Sequence, residues 1–278
     1  SILSGSAAAL LLSGVSEGEH HFAGLTINFP FEIKPWTLQE VFLTDAITYL
    51  IGFFLIALIR YEAIAIRHQE AGSALDRIRT GMKFLKDNPL IFQFGNASYA
   101  IFVVLLVTFQ QLLPQYIDQH LHSGAGTYAF AEVMYSIGAM LAGVFMVWTF
   151  RKSGFILGIT VMMGITVLIY ALFASSSNLL LFSILCLLVG ITNAGTRVLR
   201  TTWLFQHVPN QSIGRVSSVF QTINILFRAG ISSLFAIPFF NRNDQIVYAF
   251  AVCAVFVGFW MIPILRNYKK LANFKMSS

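Results

Sequence analysis

Two ionisable residues stand inside apolar runs. Glu132 interrupts AFAEVMYSIGAMLAG, residues 129–143, and Arg228 interrupts FQTINILFRAGISSLF, residues 220–235. Arg228 is not isolated. Ser217, Gln221, Asn224, Arg228 and Ser232 are spaced by 4, 3, 4 and 4 residues. On a helix they share about 80° of arc, a polar stripe along one face. Counted from Arg215, Arg228 lies about 20 Å along that helix, and Glu132 lies about 28 Å from Arg151 on its own. Across a hydrocarbon core of about 30 Å, both fall in the outer half. A carboxyl at that depth suits proton uptake and release, with the cation biasing it or holding an anionic substrate group. Three alternatives stand beside this chemistry. The two residues form a structural ion pair, Glu132 lies at the headgroup boundary, or Asp118 and cavity water serve Arg228 instead.

Neutral polar groups occur in the same kind of setting. Asn193, Arg197 and Arg200 share one helical face. Asn193 lies deep and is expected to line a cavity, while Arg197 and Arg200 are near enough to the inner end to snorkel to the surface. Asn96 and Gln110, with Gln93, serve either substrate hydrogen bonds or helix packing.

The elements that carry these residues are apolar. Hydrophobic residues make up 56% of the 278, and charged residues only 11%. A soluble domain has roughly 25% charged residues, so the chain reads as an all-α membrane protein. Runs at about 41–59, 89–113, 127–150, 154–174, 178–206, 213–240 and 246–265 predict seven full transmembrane helices. An eighth run near residues 2–15 is too short to span and reads as the truncated remnant of another helix. Lys and Arg cluster on alternate connections, and only Lys34 and Arg242 fall on the opposite side. The basic side is expected to be cytoplasmic, with the C-terminus inside. Polar helices come in pairs between nearly apolar ones, a period of three helices. Of the latter, 41–59 is almost wholly apolar beyond Asp45 and Thr48, and 154–174 carries only Thr and a Tyr. Such a period suits a transporter built from three-helix repeats, with every third helix outermost.

Other chemistry has little support. No P-loop, HExxH or GxSxG motif occurs, so no enzyme activity and no cofactor is expected. The EGEHH run at residues 17–21 and the group Asp118, His120 and His122 are weak metal candidates, and no metal site is expected. Cys186 and Cys253 lie in apolar runs and read as buried free thiols. The positive charge sits between spans, which argues against a nucleic-acid partner. Gly138 with Ala142, Ala139 with Gly143 and Gly154 with Gly158 are small-residue pairs that mark close helix contacts.

In order and pattern the chain resembles the C-terminal part of a major facilitator superfamily transporter, nearest the bacterial branch of macrolide and enterobactin exporters. FLTDAITYLIGFFLIALIR, residues 42–60, resembles that branch's sixth helix. GMKFLKDNPLI, residues 81–91, is similar to its inner loop entering helix seven, at Gly81, Phe84, Leu85 and Pro89. HVPNQSIGRVSSVFQ, residues 207–221, resembles its loop between helices ten and eleven, at Pro209, Gly214, Arg215 and Val216. VWTFRKSGF, residues 147–155, is similar to a degenerate copy of the superfamily's inner-loop signature and keeps Lys152 and Gly154.

The resemblance implies a major facilitator-type helical bundle and divides the chain four ways. Residues 1–60 end the N-terminal half, with a partial helix five, an outer loop and helix six. Residues 61–88 form a cytoplasmic inter-half loop, 89–266 the six-helix C-terminal half, and 267–278 a cytoplasmic tail. It also implies proton-driven export of a small molecule by alternating access, in a bacterial cytoplasmic (inner) membrane. The expected partners are the lipid bilayer, a small-molecule substrate and protons. Helices one to four would come from the same chain or from a partner. Two other functions stand beside this: a truncated membrane scaffold that does not transport, and a lysophospholipid flippase.

Overall fold

Residues 18–22, 25–29, 34–59, 74–240, 242 and 245–274 are described by a computed structural model. Each of the seven long apolar runs forms one helix: α1 (Leu38–Ala57), α3 (Pro89–Gln119), α4 (Ala125–Phe150), α5 (Phe155–Phe173), α6 (Leu179–His207), α7 (Asn210–Phe235) and α8 (Ile246–Arg266). Two shorter helices, α2 (Ala74–Asp87) and α9 (Tyr268–Ala272), flank the C-terminal six. The expected remnant near residues 2–15 lies outside the described residues.

Local chemistry sets the ends of these helices. Thr37 and Glu40 form a reciprocal capping box on α1. The Asn178 side chain accepts from the amides of Leu180 and Leu181 at the start of α6. Gly154 precedes α5 with φ +92°, a backbone that side-chain-bearing residues rarely adopt. Pro89 opens α3 where its missing N–H costs nothing.

Three observations amend the expectations. First, among the described residues six helices are long and apolar enough to cross a membrane. The seventh run, α7, has the length but is more polar, because Arg215, Gln221, Asn224 and Arg228 all lie on it. Second, the outer loop carries strands: β1 (Gly18–Phe22) pairs antiparallel with β2 (Leu25–Phe29). The alternation in LTINF is a strand pattern, so the chain is all-α only in its membrane part. Third, the 61–88 loop contains helix α2. Ile78, Met82 and Leu85 recur at helical spacing there and pack toward the core.

α3 is the central member and packs on α6, α7 and α8. α5 and α8 pack against each other, and α2 packs on α7. The α4–α6 pair is the most extensive contact, and glycines set its spacing. A Cβ on Gly138 would overlap the Leu187 carbonyl of α6, and one on Gly190 would overlap the Tyr135 carbonyl of α4.

The three-helix period places α3 and α6 inside as expected, but not α4 or α7: α7 buries few residues, and α5 and α8, expected outermost, are more buried than α4. Only 22% of the spanning window of α4 is buried, against 67% for α3. The polar groups of α4 sit toward its outer end. Farther in, Met140, Val144, Phe145 and Trp148 are exposed around an apolar surface. Among the described residues helix α1 makes few contacts with the other elements, and none of its spanning window is buried.

Candidate functional site

Polar side chains gather along the contacts that α6 makes with α4 and α3, and that α3 makes with α7. On α6, the Asn193 amide donates to the Tyr135 hydroxyl of α4 at 2.8 Å, and both residues are buried. Arg197, one turn farther in, acts on the same hydroxyl and is exposed.

Arg200 departs from the snorkelling expectation. It is 5% exposed, its guanidinium sits 3.6 Å from the centroid of the Tyr99 ring, and Nη1 donates to the Ser98 carbonyl at 3.0 Å. A cation placed over an aromatic face and bonded to a carbonyl tolerates burial that an isolated one does not. Tyr99 in turn packs near Phe220 of α7, with centroids 5.8 Å apart, and Gly95 admits the Phe220 ring.

The stripe on α7 runs along the margin of its packed face. Asn224 is buried, Ser217, Arg228 and Ser232 are half-buried, and Gln221 is exposed. The Nδ2 of Asn224 has no partner among the described residues, and neither does the buried Thr196 hydroxyl on α6. Asn96 is buried and bonds back to the Phe92 carbonyl of its own helix. Gln110 is exposed in a π-helical turn of α3, Thr108–Leu112. That turn is tied to its surroundings. Thr108 shares a hydrogen bond with the Tyr170 hydroxyl of α5 at 2.9 Å, and Gln111 donates to the Ser232 carbonyl of α7 at 3.2 Å.

Glu132 lies farther out on α4, half-buried. The Tyr128 hydroxyl, one turn before it, donates to the Phe109 carbonyl of α3 at 3.1 Å and lies near the Glu132 carboxyl. The structure does not bring Glu132 and Arg228 together. α4 and α7 do not pack on each other, and Arg228 is not among the groups acting on the carboxyl. Asp118 instead shares an outer cleft of about 300 Å³ with Tyr128, Pro114 and Ile117.

Where α2 packs on α7, two of the motif-bearing stretches meet. Gly81 of α2 lies against the backbone of Arg215 on α7, so close that a Cβ there would stand 2.7 Å from the Arg215 carbonyl oxygen. Gly214 faces open space. Lys152 and Gly154 are exposed in the turn between α4 and α5. Cys186 and Cys253 are buried free thiols. Among the described residues no three His, Cys, Asp or Glu side chains gather as metal ligands would.

The sequence reading overlooked three tyrosines: Tyr99, Tyr128 and Tyr135. The one local signal was the i,i+4 spacing of Tyr128 and Glu132. Tyr99 and Tyr135 pair with residues of α6 far along the chain.

A bundle of helices long and apolar enough to span, with buried polar side chains, is the architecture of a polytopic membrane protein. The model of the Major Facilitator Superfamily matches residues 5–230, most of the chain, and the protein belongs to that superfamily. No curated protein and no solved structure matches it.

Proposed function

We propose that the chain supplies the C-terminal cavity wall of a proton-coupled exporter that moves a small amphipathic molecule by alternating access. In this reading residues 89–266 form one half of the transporter, residues 1–60 belong to the other, and 61–88 join them on the cytoplasmic side of a bacterial inner membrane. The observation that carries the reading is Glu132, a half-buried carboxyl within a spanning helix whose neighbour is the Tyr128 hydroxyl and not a cation. Such a group gains most from taking a proton when its surroundings dry, and gives it up when water returns. Asn96, Gln110, Asn193, Arg197, Ser217, Gln221 and Asn224 would face the substrate, and Arg228 would hold an anionic part of it. Export, as opposed to uptake, follows from the sequence resemblance.

The test is transport in everted membrane vesicles carrying the protein with its complete set of helices. Substrate-dependent proton movement is expected for the wild type and is lost in Glu132→Gln at equal expression. Coupling that survives in Glu132→Gln would remove the proton role.

A further inference from the structure

The π-turn in α3 leaves one backbone carbonyl without either of its possible helical donors. In an α-helix the Phe109 carbonyl would accept from Leu113 N–H. Here Leu113 N–H bonds to the Thr108 carbonyl, five residues back. The next candidate, Pro114, has no N–H to give. A carbonyl orphaned at membrane depth needs another donor, and the Tyr128 hydroxyl of α4 supplies it at 3.1 Å. The Glu132 carboxyl, one turn further along α4, lies near enough to act on the same hydroxyl. Tyr128 therefore has one proton to donate and two acceptors within reach.

We infer that Tyr128 is a positioning residue that transmits the protonation of Glu132 to the π-turn of the central helix. This rests on the proton-coupled reading above and names the device through which that proton would act.

The hydrogen bonds balance as follows. When Glu132 carries a proton from solvent, its O–H donates to the Tyr128 oxygen. The Tyr128 O–H then donates to the Phe109 carbonyl, so every group is satisfied. When Glu132 releases that proton to solvent, the carboxylate can only accept. The Tyr128 O–H turns to it, because hydrogen bonds to an ionised acceptor are the stronger kind. The Phe109 carbonyl is then unpartnered, and the π-turn loses its tie to α4. The turn keeps its bonds to α5 through Tyr170 and to α7 through Ser232. Loosening one of three ties frees the outer end of α3, which presents Gln110, to reset against its neighbours.

Other ionisable groups near the contacts of α4 are Asp118 on α3, His120 just past the end of α3, and Arg197 on α6. Asp118 lines the cleft with Tyr128 and is the main competitor.

The experiment is hydrogen–deuterium exchange of segment 108–119 in the full chain in lipid nanodiscs, from acidic to alkaline pH and corrected for intrinsic exchange. Wild-type protection in this segment is expected to fall roughly fivefold as Glu132 ionises, the change that losing one ordinary hydrogen bond makes. Tyr128→Phe is expected to show low protection at every pH. Glu132→Gln, which keeps a donor for the Tyr128 oxygen, is expected to show high protection at every pH. Asp118→Asn is expected to retain the wild-type step.

A full-sized step in Tyr128→Phe overturns the inference, as does a step that persists in Glu132→Gln and disappears in Asp118→Asn. If Tyr128→Phe does not accumulate, the Glu132→Gln profile decides alone. Transport separates the two readings: coupling retained in Glu132→Gln sinks the proton role, while the exchange profiles judge Tyr128.

Discussion

The guanidinium of Arg200 lies 3.6 Å from the centroid of Tyr99 and bonds to the carbonyl of the residue before it, Ser98. Among the described residues no carboxylate pairs with this buried cation, and the aromatic face takes that place. Tyr99→Leu is therefore expected to destabilise the bundle by about 1–2 kcal/mol, the range of a desolvated cation–π contact. Tyr99→Phe keeps the ring and is expected to stay within about 0.5 kcal/mol of the wild type. Thermal unfolding in detergent reads both. Equal losses in the two variants would show that the hydroxyl, and not the ring face, holds Arg200.

The small-residue pairs on α4 are not equivalent. A Cβ on Gly138 would overlap a backbone carbonyl of α6, whereas Gly143 has nothing within 4 Å. Gly138→Ala must force the two helices apart and is expected to cost about 1–3 kcal/mol, as overpacking does. Gly143→Ala is expected to be neutral or to stabilise by up to about 1 kcal/mol through helix propensity. A cysteine cross-linking survey of the α4–α6 interface would detect the separation in the first variant and none in the second.

The spans were legible because membrane helices announce themselves by apolar length. The run expected at 213–240 became Asn210–Phe235, and the one at 246–265 became Ile246–Arg266. The polar stripe on α7 was legible from spacing alone. What spacing does not reveal is the neighbour. Arg197 and Arg200 share a face and differ by one turn, yet one is exposed and the other buried, because Tyr99 comes from a helix about a hundred residues earlier. The π-turn was hidden for another reason. Pro114 signals a broken hydrogen-bond ladder, but not how the ladder is repaired or that Tyr128 repairs it. The short strands escaped notice because their alternation lies beside far stronger apolar signals.

Asn193 and Tyr135 form a buried side-chain pair across the α4–α6 contact. Tyr135→Phe leaves the Asn193 amide without that acceptor and is expected to cost about 1–3 kcal/mol. Replacing both, Asn193→Leu with Tyr135→Phe, removes donor and acceptor together and is expected to recover part of the loss. A double variant that is less stable than either single one would place a bound water, and not the direct bond, at this contact.

Glu132 and Arg228 are expected at similar depth from the sequence, but sit on helices that do not pack together. If each acts on its own ligand, one on a proton and the other on an anionic group, their effects are independent. Separated sites add to within roughly 0.3–0.5 kcal/mol, while members of one ion pair are coupled by more. The stability of Glu132→Gln, Arg228→Gln and the double variant is therefore expected to close a cycle with almost no interaction energy. Their transport defects are expected to differ in kind. Glu132→Gln should flatten the dependence of flux on the proton gradient. Arg228→Gln should leave that dependence intact and raise KM for anionic substrates. A coupling energy above about 1 kcal/mol in the cycle would mean that the two side chains meet in the working transporter, and would return the pair to a single site.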